Sequence, residues 1–136
     1  MLDGTEPIER DEVLYRRISE KSGYYQPTRS PKFSPRVLHP NNGDGDGISL
    51  YRSKYVTPEQ VGKAGKQNQV YWVISFLAAS FQDQGLSIQP LADEPLPGHV
   101  VIPEMRFDRL ASLKELALSL REKSLEIYGP FTGETL

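Results

Sequence analysis

The sequence predicts an α+β domain, in which a small, mostly antiparallel sheet of four to five strands carries a long C-terminal helix on one face. Three observations predict it. Short segments of alternating polarity recur between residues 11 and 102, and residues 70–74 form a continuous apolar run rich in β-branched and aromatic side chains. Beyond residue 108, leucines recur at intervals of three and four, which is typical of an amphipathic helix.

Length and composition indicate a single globular domain. The chain has 136 residues, of which 38% are hydrophobic and 25% charged, and its net charge is -2. This charge provides no global attraction for nucleic acid or an anionic membrane. The chain lacks cysteine, which excludes disulfides and thiolate metal sites. Because no apolar segment reads as a signal or a membrane span, we expect a cytoplasmic protein that binds no membrane.

The first two strands are predicted at residues 11–18 and 48–56. In the first, Leu14, Arg16 and Ile18 share one face, and in the second Ile48 and Leu50 share one face. Residues 1–10 are polar and are predicted to be a flexible lead-in.

A long basic loop is predicted to lie over the surface between these strands, at residues 21–47. Four prolines between residues 27 and 40 argue against a regular helix or a central strand there. A loop of this length is more often functional or mobile than merely connective.

The middle of the chain alternates short helices and strands. Thr57 and Gln60 form a capping box with Pro58 at the first helical position, so a helix is predicted from Pro58 to about Lys66. A central strand at residues 69–75 follows, then a helix from Ser75 through Gln84 that ends at Gly85. Strands are predicted at residues 86–89 and 99–102.

The last predicted element is the amphipathic helix, which begins after Asp108 or Ser112 and is stopped by Gly129 and Pro130. Residues 131–136 are predicted to be a flexible tail.

The turn before the second strand matches the start of a calcium loop. Asn42, Asp44 and Asp46 stand at positions one, three and five, and Gly47 at position six. Position twelve is Ser53 rather than a bidentate glutamate, and a strand follows where a helix is needed. We interpret the segment as a flexible turn, with a calcium site as the alternative.

The basic loop is also a candidate for binding single-stranded nucleic acid. Tyr24, Tyr25 and Phe33 stand between its positive charges, and such aromatics can stack on bases. The alternative is a solvated loop whose aromatic side chains pin it to the body of the domain.

Arg16 and Arg52 occupy matching places in two strands and could form an anion clamp, since a guanidinium group binds carboxylate or phosphate bidentately. With Ser49 and Glu104, this arrangement resembles the nicotinamide-dinucleotide pocket of ADP-ribosyltransferases, many of which use an arginine, a serine and a glutamate. The alternative is that Asp11, Glu12 or Glu104 neutralises the arginines. His99 stands at a strand end, where it could act as a base, but no neighbouring group indicates catalysis.

Three segments carry a resemblance to known proteins: LYRRI at residues 14–18, GISLYR at residues 47–52 and PGHVVIP at residues 97–103. They resemble a group of small uncharacterised bacterial proteins over most of residues 11–104. The resemblance implies a bacterial, stand-alone domain and no activity to transfer.

These observations predict a non-enzymatic binding or protein-interaction domain, with no cofactor and with Arg16, Arg52, Tyr24, Tyr25 and His99 as candidate ligand-binding residues. The alternative is an enzyme acting on a nucleotide or another anionic small molecule. The partner could be another protein, and exposed strand margins make a homodimer conceivable.

Overall fold

The computed structural model describes residues 5–28, 33–40, 47–91, 96–106 and 110–136, and for residues 110–112 the backbone alone. Its strands, in chain order from β1 to β6, are Val13–Ser19, Ile48–Arg52, Val70–Leu77, Gln89–Pro90, His99–Ile102 and Ile127–Thr132. The α-helices, α1 to α3, are Pro58–Lys63, Ala78–Gln82 and Leu110–Glu122, and two 3₁₀ turns occupy Glu20–Ser22 and Pro35–Leu38.

The strands form one six-stranded sheet in the order β4-β5-β2-β1-β3-β6, and every neighbouring pair is antiparallel. β1 lies at the centre and pairs with β3 along its whole length, from Val13 opposite Leu77 to Ser19 opposite Tyr71. The predicted α+β class and antiparallel sheet are confirmed, but the sheet has six strands rather than four to five.

The additional strand, β6, comes from a segment that the sequence assigned to a helix end and a tail. α3 ends at Glu122, and residues 127–132 pair with β3. The amide of Leu125 donates to the Ser75 carbonyl (2.9 Å), and the amide of Ser75 donates to the Glu126 carbonyl (2.9 Å). Because these bonds join the chain to the free edge of β3, sheet pairing replaces the last turns of the expected helix.

Two shorter elements also differ from the prediction. Ser75 does not cap a helix, because it lies within β3, and α2 begins only at Ala78. The expected strand at residues 86–89 is reduced to Gln89 and Pro90, since Ser87 binds the Glu104 carboxylate through both its amide (3.0 Å) and its hydroxyl (2.8 Å).

The capping box at Thr57 is confirmed. The Gln60 amide donates to Thr57 Oγ1 (3.2 Å), and the Thr57 amide donates to Gln60 Oε1 (2.8 Å). Pro58 occupies the first turn, where its missing amide hydrogen costs nothing. α1 ends at Lys63, slightly earlier than predicted.

Apolar side chains cover both faces of the sheet. One face carries the main core, in which Leu14, Leu50 and Phe76 pack with Leu113 and Leu120 of α3. The other face carries a smaller cluster around Tyr15, Val73 and the α1 residue Val61. The basic loop contributes to the main core through three fully buried side chains, Phe33, Val37 and Leu38. Part of the basic loop therefore packs into the main core of the domain.

In the described ranges, no helix combines the length and the apolar character needed to cross a membrane.

The packing of α1 on β6 predicts an unusual response to a helix-favouring substitution. A β-carbon on Gly62 would lie 2.5 Å from Cδ2 and 2.7 Å from Cβ of Phe131. Gly→Ala in a helix normally stabilises by about 1 kcal/mol. Here overpacking dominates, so we expect Gly62→Ala to lower the free energy of unfolding by about 1–3 kcal/mol in urea titrations.

Phe131→Gly provides the matched background, because it removes both the ring and the β-carbon that obstruct the added methyl group. There Gly62→Ala should be neutral or stabilising. An equal loss of stability in both backgrounds would show that β6 does not pack on α1 as described.

Candidate functional site

The candidate site is a cavity of about 280 Å³ that opens where the two central strands separate. β1 and β2 pair only at Leu14 with Arg52 and at Tyr15 with Tyr51. Beyond these positions β1 continues along β3 and β2 continues along β5. The sheet is therefore split between its central strands, and side chains from both of its faces reach the same space.

Three strands and the basic loop line this cavity. Arginine, serine and tyrosine predominate, and no carboxylate occurs among the lining residues of the described chain. The lining consists of residues 16–19 of β1, Ser49 and Tyr51 of β2, Tyr71 of β3, and Ser22, Tyr24 and Val37 of the loop.

Arg16 spans the split and joins its walls. The side chain is 3% exposed. Nη1 donates to the Ser49 carbonyl on β2 (3.0 Å), and Nε donates to the Val37 carbonyl in the second 3₁₀ turn (2.9 Å). Nη2 donates to the carbonyl of His39 (3.2 Å). Arg16 thus joins the basic loop to β2 at the position where β1 and β2 stop pairing. Its role at the cavity is therefore at least partly structural.

Arg17 points to the other face of the sheet and is held between two tyrosines. Its guanidinium carbon lies 5.9 Å from the centre of the Tyr51 ring and 5.5 Å from that of Tyr71. Nη1 donates to the carbonyl of Val61 in α1 (2.9 Å). Within the described ranges, no carboxylate pairs with this half-buried guanidinium group. Arg17 is therefore a positioned cation that lines the cavity with most of its donors available.

The two flanking rings are themselves fixed. The ring of His99 packs on Tyr51 with the ring centres 5.2 Å apart, and the hydroxyl of Tyr71 accepts a hydrogen bond from the Lys66 amide (2.9 Å). The backbone of Gly65 lies so close to the Tyr71 ring that a β-carbon there would overlap it. The orientation of Arg17 is therefore set by groups that cannot readily move.

Tyr24 and Ser49 also line the cavity. Tyr24 is half-buried and packs partly against the main core, and its carbonyl accepts a hydrogen bond from the Ser34 amide (2.6 Å). The hydroxyl of Ser49 makes no hydrogen bond to any described residue. Ser19 and Ser22, in contrast, are used locally in the first 3₁₀ turn.

Arg52 does not join Arg16 at this cavity. Its side chain is fully buried, and it binds both carboxylate oxygens of Glu12, at 2.7 Å from Nε and 2.9 Å from Nη2. Nη1 donates to the Glu6 carbonyl (2.9 Å). The hydrogen bond with Glu12, together with the neighbouring negative charges, raises the pKa of Arg52. The two arginines therefore do not form one anion clamp. Arg52 is neutralised by Glu12, which was the alternative to the clamp, and it anchors the lead-in segment.

The other candidate residues lie outside the cavity lining. His99 is buried behind Tyr51, and Tyr25 packs edge-on against Trp72 with ring centres 4.9 Å apart. Glu104 binds Ser87 and is not among the lining residues. The arginine, Ser49 and Glu104 of the dinucleotide-pocket hypothesis are therefore not brought together in this cavity.

The calcium-loop candidates, Asn42, Asp44 and Asp46, lie outside the described residues. In the described remainder of the chain, no group of three or more histidine, aspartate or glutamate side chains could hold a metal ion.

The sequence interpretation missed Arg17, Tyr51 and Tyr71 as site residues. Strand alternation assigns Arg16 and Arg17 to opposite faces, so a continuous sheet would keep them apart. The available signal was the unusual pair of successive arginines in an otherwise apolar strand. The splitting of the sheet, which brings both residues to one cavity, has no local sequence signature.

Comparison with known proteins adds no assignment: the chain matches no family model, no curated protein and no solved structure. The resemblance to small bacterial proteins therefore stays a prediction.

Removing the buried charge of Arg52 should be strongly destabilising. Arg52→Met leaves the Glu12 carboxylate buried without its cation, so we expect a loss of about 3–5 kcal/mol in the free energy of unfolding. The exposed pair of Arg10 and Asp83 (2.8 Å) provides the control, because Arg10→Met should cost less than about 1 kcal/mol. Adding Glu12→Leu to Arg52→Met should recover stability. If Arg52→Met alone is as stable as the wild type, Arg52 and Glu12 do not form a buried ion pair.

Acid should weaken the anchoring of the lead-in segment. A hydrogen bond from the Tyr55 hydroxyl lowers the pKa of the Glu6 carboxyl from its ordinary value of 4.5, and the charge of Arg52 acts in the same direction. The folded protein thus binds this proton less readily than the unfolded chain. The stabilisation is present above pH 4.5 and is lost as the pH falls through the lowered folded pKa. We expect Tyr55→Phe to reduce the acid-induced fall of the urea midpoint, and an unchanged fall would contradict this.

Proposed function

We propose that the protein is a binding domain that takes a small anionic molecule into the cavity between β1 and β2. The observation that carries the proposal is Arg17, a half-buried guanidinium group fixed between two tyrosine rings at a cavity lined by no carboxylate of the described chain. A guanidinium group stays charged at every physiological pH, so its natural complement here is a carboxylate or a phosphate.

The protein as a whole does not attract anions, since its net charge is -2. The positive potential is local, and we attribute it to Arg17, whose guanidinium group pairs with no carboxylate of the described residues. Because the surrounding side chains and backbone exclude part of the solvent, a charge pair formed there is stronger than one on the open surface. Local complementarity of this kind favours recognition of a small ligand over nonspecific association with polyanions.

The proposal retains the binding-domain interpretation of the sequence and takes the anionic ligand from the enzymatic alternative. It gives no catalytic role to Arg16 or Arg17. The loop aromatics favour the same conclusion over a single-stranded nucleic-acid site, because Tyr25 packs on Trp72 and Phe33 is buried in the core. Of the three aromatics considered for base stacking, Tyr24 alone lines the cavity.

Replacing Arg17 tests the proposal. We expect anions from a panel of carboxylates, phosphate and phosphate monoesters to raise the melting temperature of the wild type, because a ligand at 100 times its Kd adds about 2.7 kcal/mol of stability. Arg17→Gln should weaken this binding by about 10- to 150-fold in calorimetric titrations, as the loss of hydrogen bonds from a charged group predicts. Arg17→Lys should retain only part of the affinity, because lysine keeps the positive charge but lacks the two parallel N–H donors of a guanidinium group.

Arg10→Gln is the matched control. It removes the same charge from an exposed arginine whose side chain is 64% accessible and does not line the cavity. If Arg10→Gln weakens anion binding as much as Arg17→Gln does, the effect comes from the net charge of the protein and not from the cavity. Absence of Arg17-dependent binding across the panel would reject the proposed function.

A further inference from the structure

We infer that the ligand is a small aromatic oxyanion: one carboxylate or phosphate monoester group bound by the Nε–Nη2 edge of Arg17, on a flat ring that lies against Tyr24. This inference rests on the proposed function and specifies the chemistry of its ligand.

One edge of the Arg17 guanidinium group is available to a ligand. Nη1 is occupied by the carbonyl of Val61 (2.9 Å), which anchors that nitrogen to α1. Nε and Nη2 have no hydrogen-bond partner in the described ranges. These two nitrogens carry parallel N–H groups, the fork that binds two oxygens of one carboxylate or phosphate. The structure thus leaves a bidentate donor pair on a side chain that is already immobilised, which reduces the entropy lost on binding.

Of the three tyrosines that line the cavity, Tyr24 provides the aromatic surface for a ligand. Tyr51 contacts His99 and Arg17, and Tyr71 contacts Gly65 and Arg17, so both rings serve to hold the guanidinium group. Tyr24 has no aromatic or cationic partner among the described residues.

Neighbouring groups place Tyr24 as a wall of the cavity. The Ser34 amide binds its carbonyl (2.6 Å), and its own amide donates to Ser22 Oγ (3.2 Å). Ile18 and Val37 extend the apolar surface beside it. A flat ring therefore has one aromatic and two aliphatic walls to pack on.

The size of the cavity limits the size of the ligand. The cavity volume of about 280 Å³ lies at the lower limit of the roughly 300–1,000 Å³ typical of sites for drug-sized ligands. A single ring with one acidic group suits this space, and a dinucleotide does not. The Ser49 hydroxyl remains available to bond a polar substituent on the ring.

The experiment compares six probes by calorimetry with the full chain: benzoate, cyclohexanecarboxylate, benzamide, phenyl phosphate, inorganic phosphate and a nicotinamide dinucleotide. We expect benzoate or phenyl phosphate to bind at least about tenfold more tightly than cyclohexanecarboxylate and inorganic phosphate, a difference of about 1.4 kcal/mol. Benzamide should not bind, because it lacks the charge. The relative affinities of benzoate and phenyl phosphate distinguish a carboxylate ligand from a phosphate monoester.

Variants at Tyr24 separate the ring from the charge. Tyr24→Leu should abolish the preference for aromatic anions while leaving the Arg17-dependent affinity for cyclohexanecarboxylate. Tyr24→Phe keeps the ring and should retain the preference for aromatic anions. It serves as the control for Tyr24→Leu, because it changes the same position without removing the ring.

Each contrary outcome has a distinct meaning. If cyclohexanecarboxylate binds as tightly as benzoate, or if Tyr24→Leu keeps the preference, the aromatic inference is overturned while the proposed function stands. Tighter binding of nicotinamide dinucleotide than of phenyl phosphate would overturn the size argument. If none of the anions binds in an Arg17-dependent manner, both the inference and the proposed function are rejected.

Discussion

The central constraint in this protein is the guanidinium group of Arg16, which bridges strands that no longer pair with each other. Where β1 and β2 separate, their unpaired backbone groups would be costly to bury. Arg16 supplies donors to the Ser49 carbonyl on one side and to the Val37 carbonyl of the loop on the other. One long side chain therefore replaces part of a strand ladder, and in doing so it keeps a cavity open in the middle of a sheet.

Three arginines of the sheet illustrate how the surroundings decide what a charge can do. Arg52 is fully buried and matched by the Glu12 carboxylate, so it stabilises the fold and is occupied there. Arg16 is buried with backbone carbonyls as acceptors, so it organises the walls of the cavity. Arg17 is half-buried between aromatic rings with a single carbonyl acceptor, so it retains donors for a ligand. The same side chain thus anchors, organises or binds according to its local partners.

Much of the fold could be predicted from local sequence patterns. Alternation placed the central strands, and the capping box at Thr57 fixed the start of α1, because both signals depend on near neighbours. β6 could not be predicted in this way, because Gly129 and Pro130 read as helix-stopping residues. Its pairing with β3 also joins residues that are 53 to 62 positions apart, from Ile74 with Ile127 to Val70 with Thr132. Two of the five candidate ligand-binding residues lie at the cavity. Arg16 and Tyr24 line the cavity, whereas Arg52, His99 and Tyr25 are engaged elsewhere.

The sequence alone determined the α+β class, the antiparallel character of the sheet and the places of its central strands, because polarity alternation and capping act over a few residues. Only the tertiary structure decided which arginine faces a ligand. Arg16 and Arg17 belong to opposite faces of any continuous strand. They reach one cavity because β2 pairs with β1 only at Tyr51 and Arg52, whereas its residues 48–50 pair with β5 alone. That departure depends on contacts between segments distant in the chain, which are specified by packing and hydrogen bonding of the whole domain rather than by any local stretch.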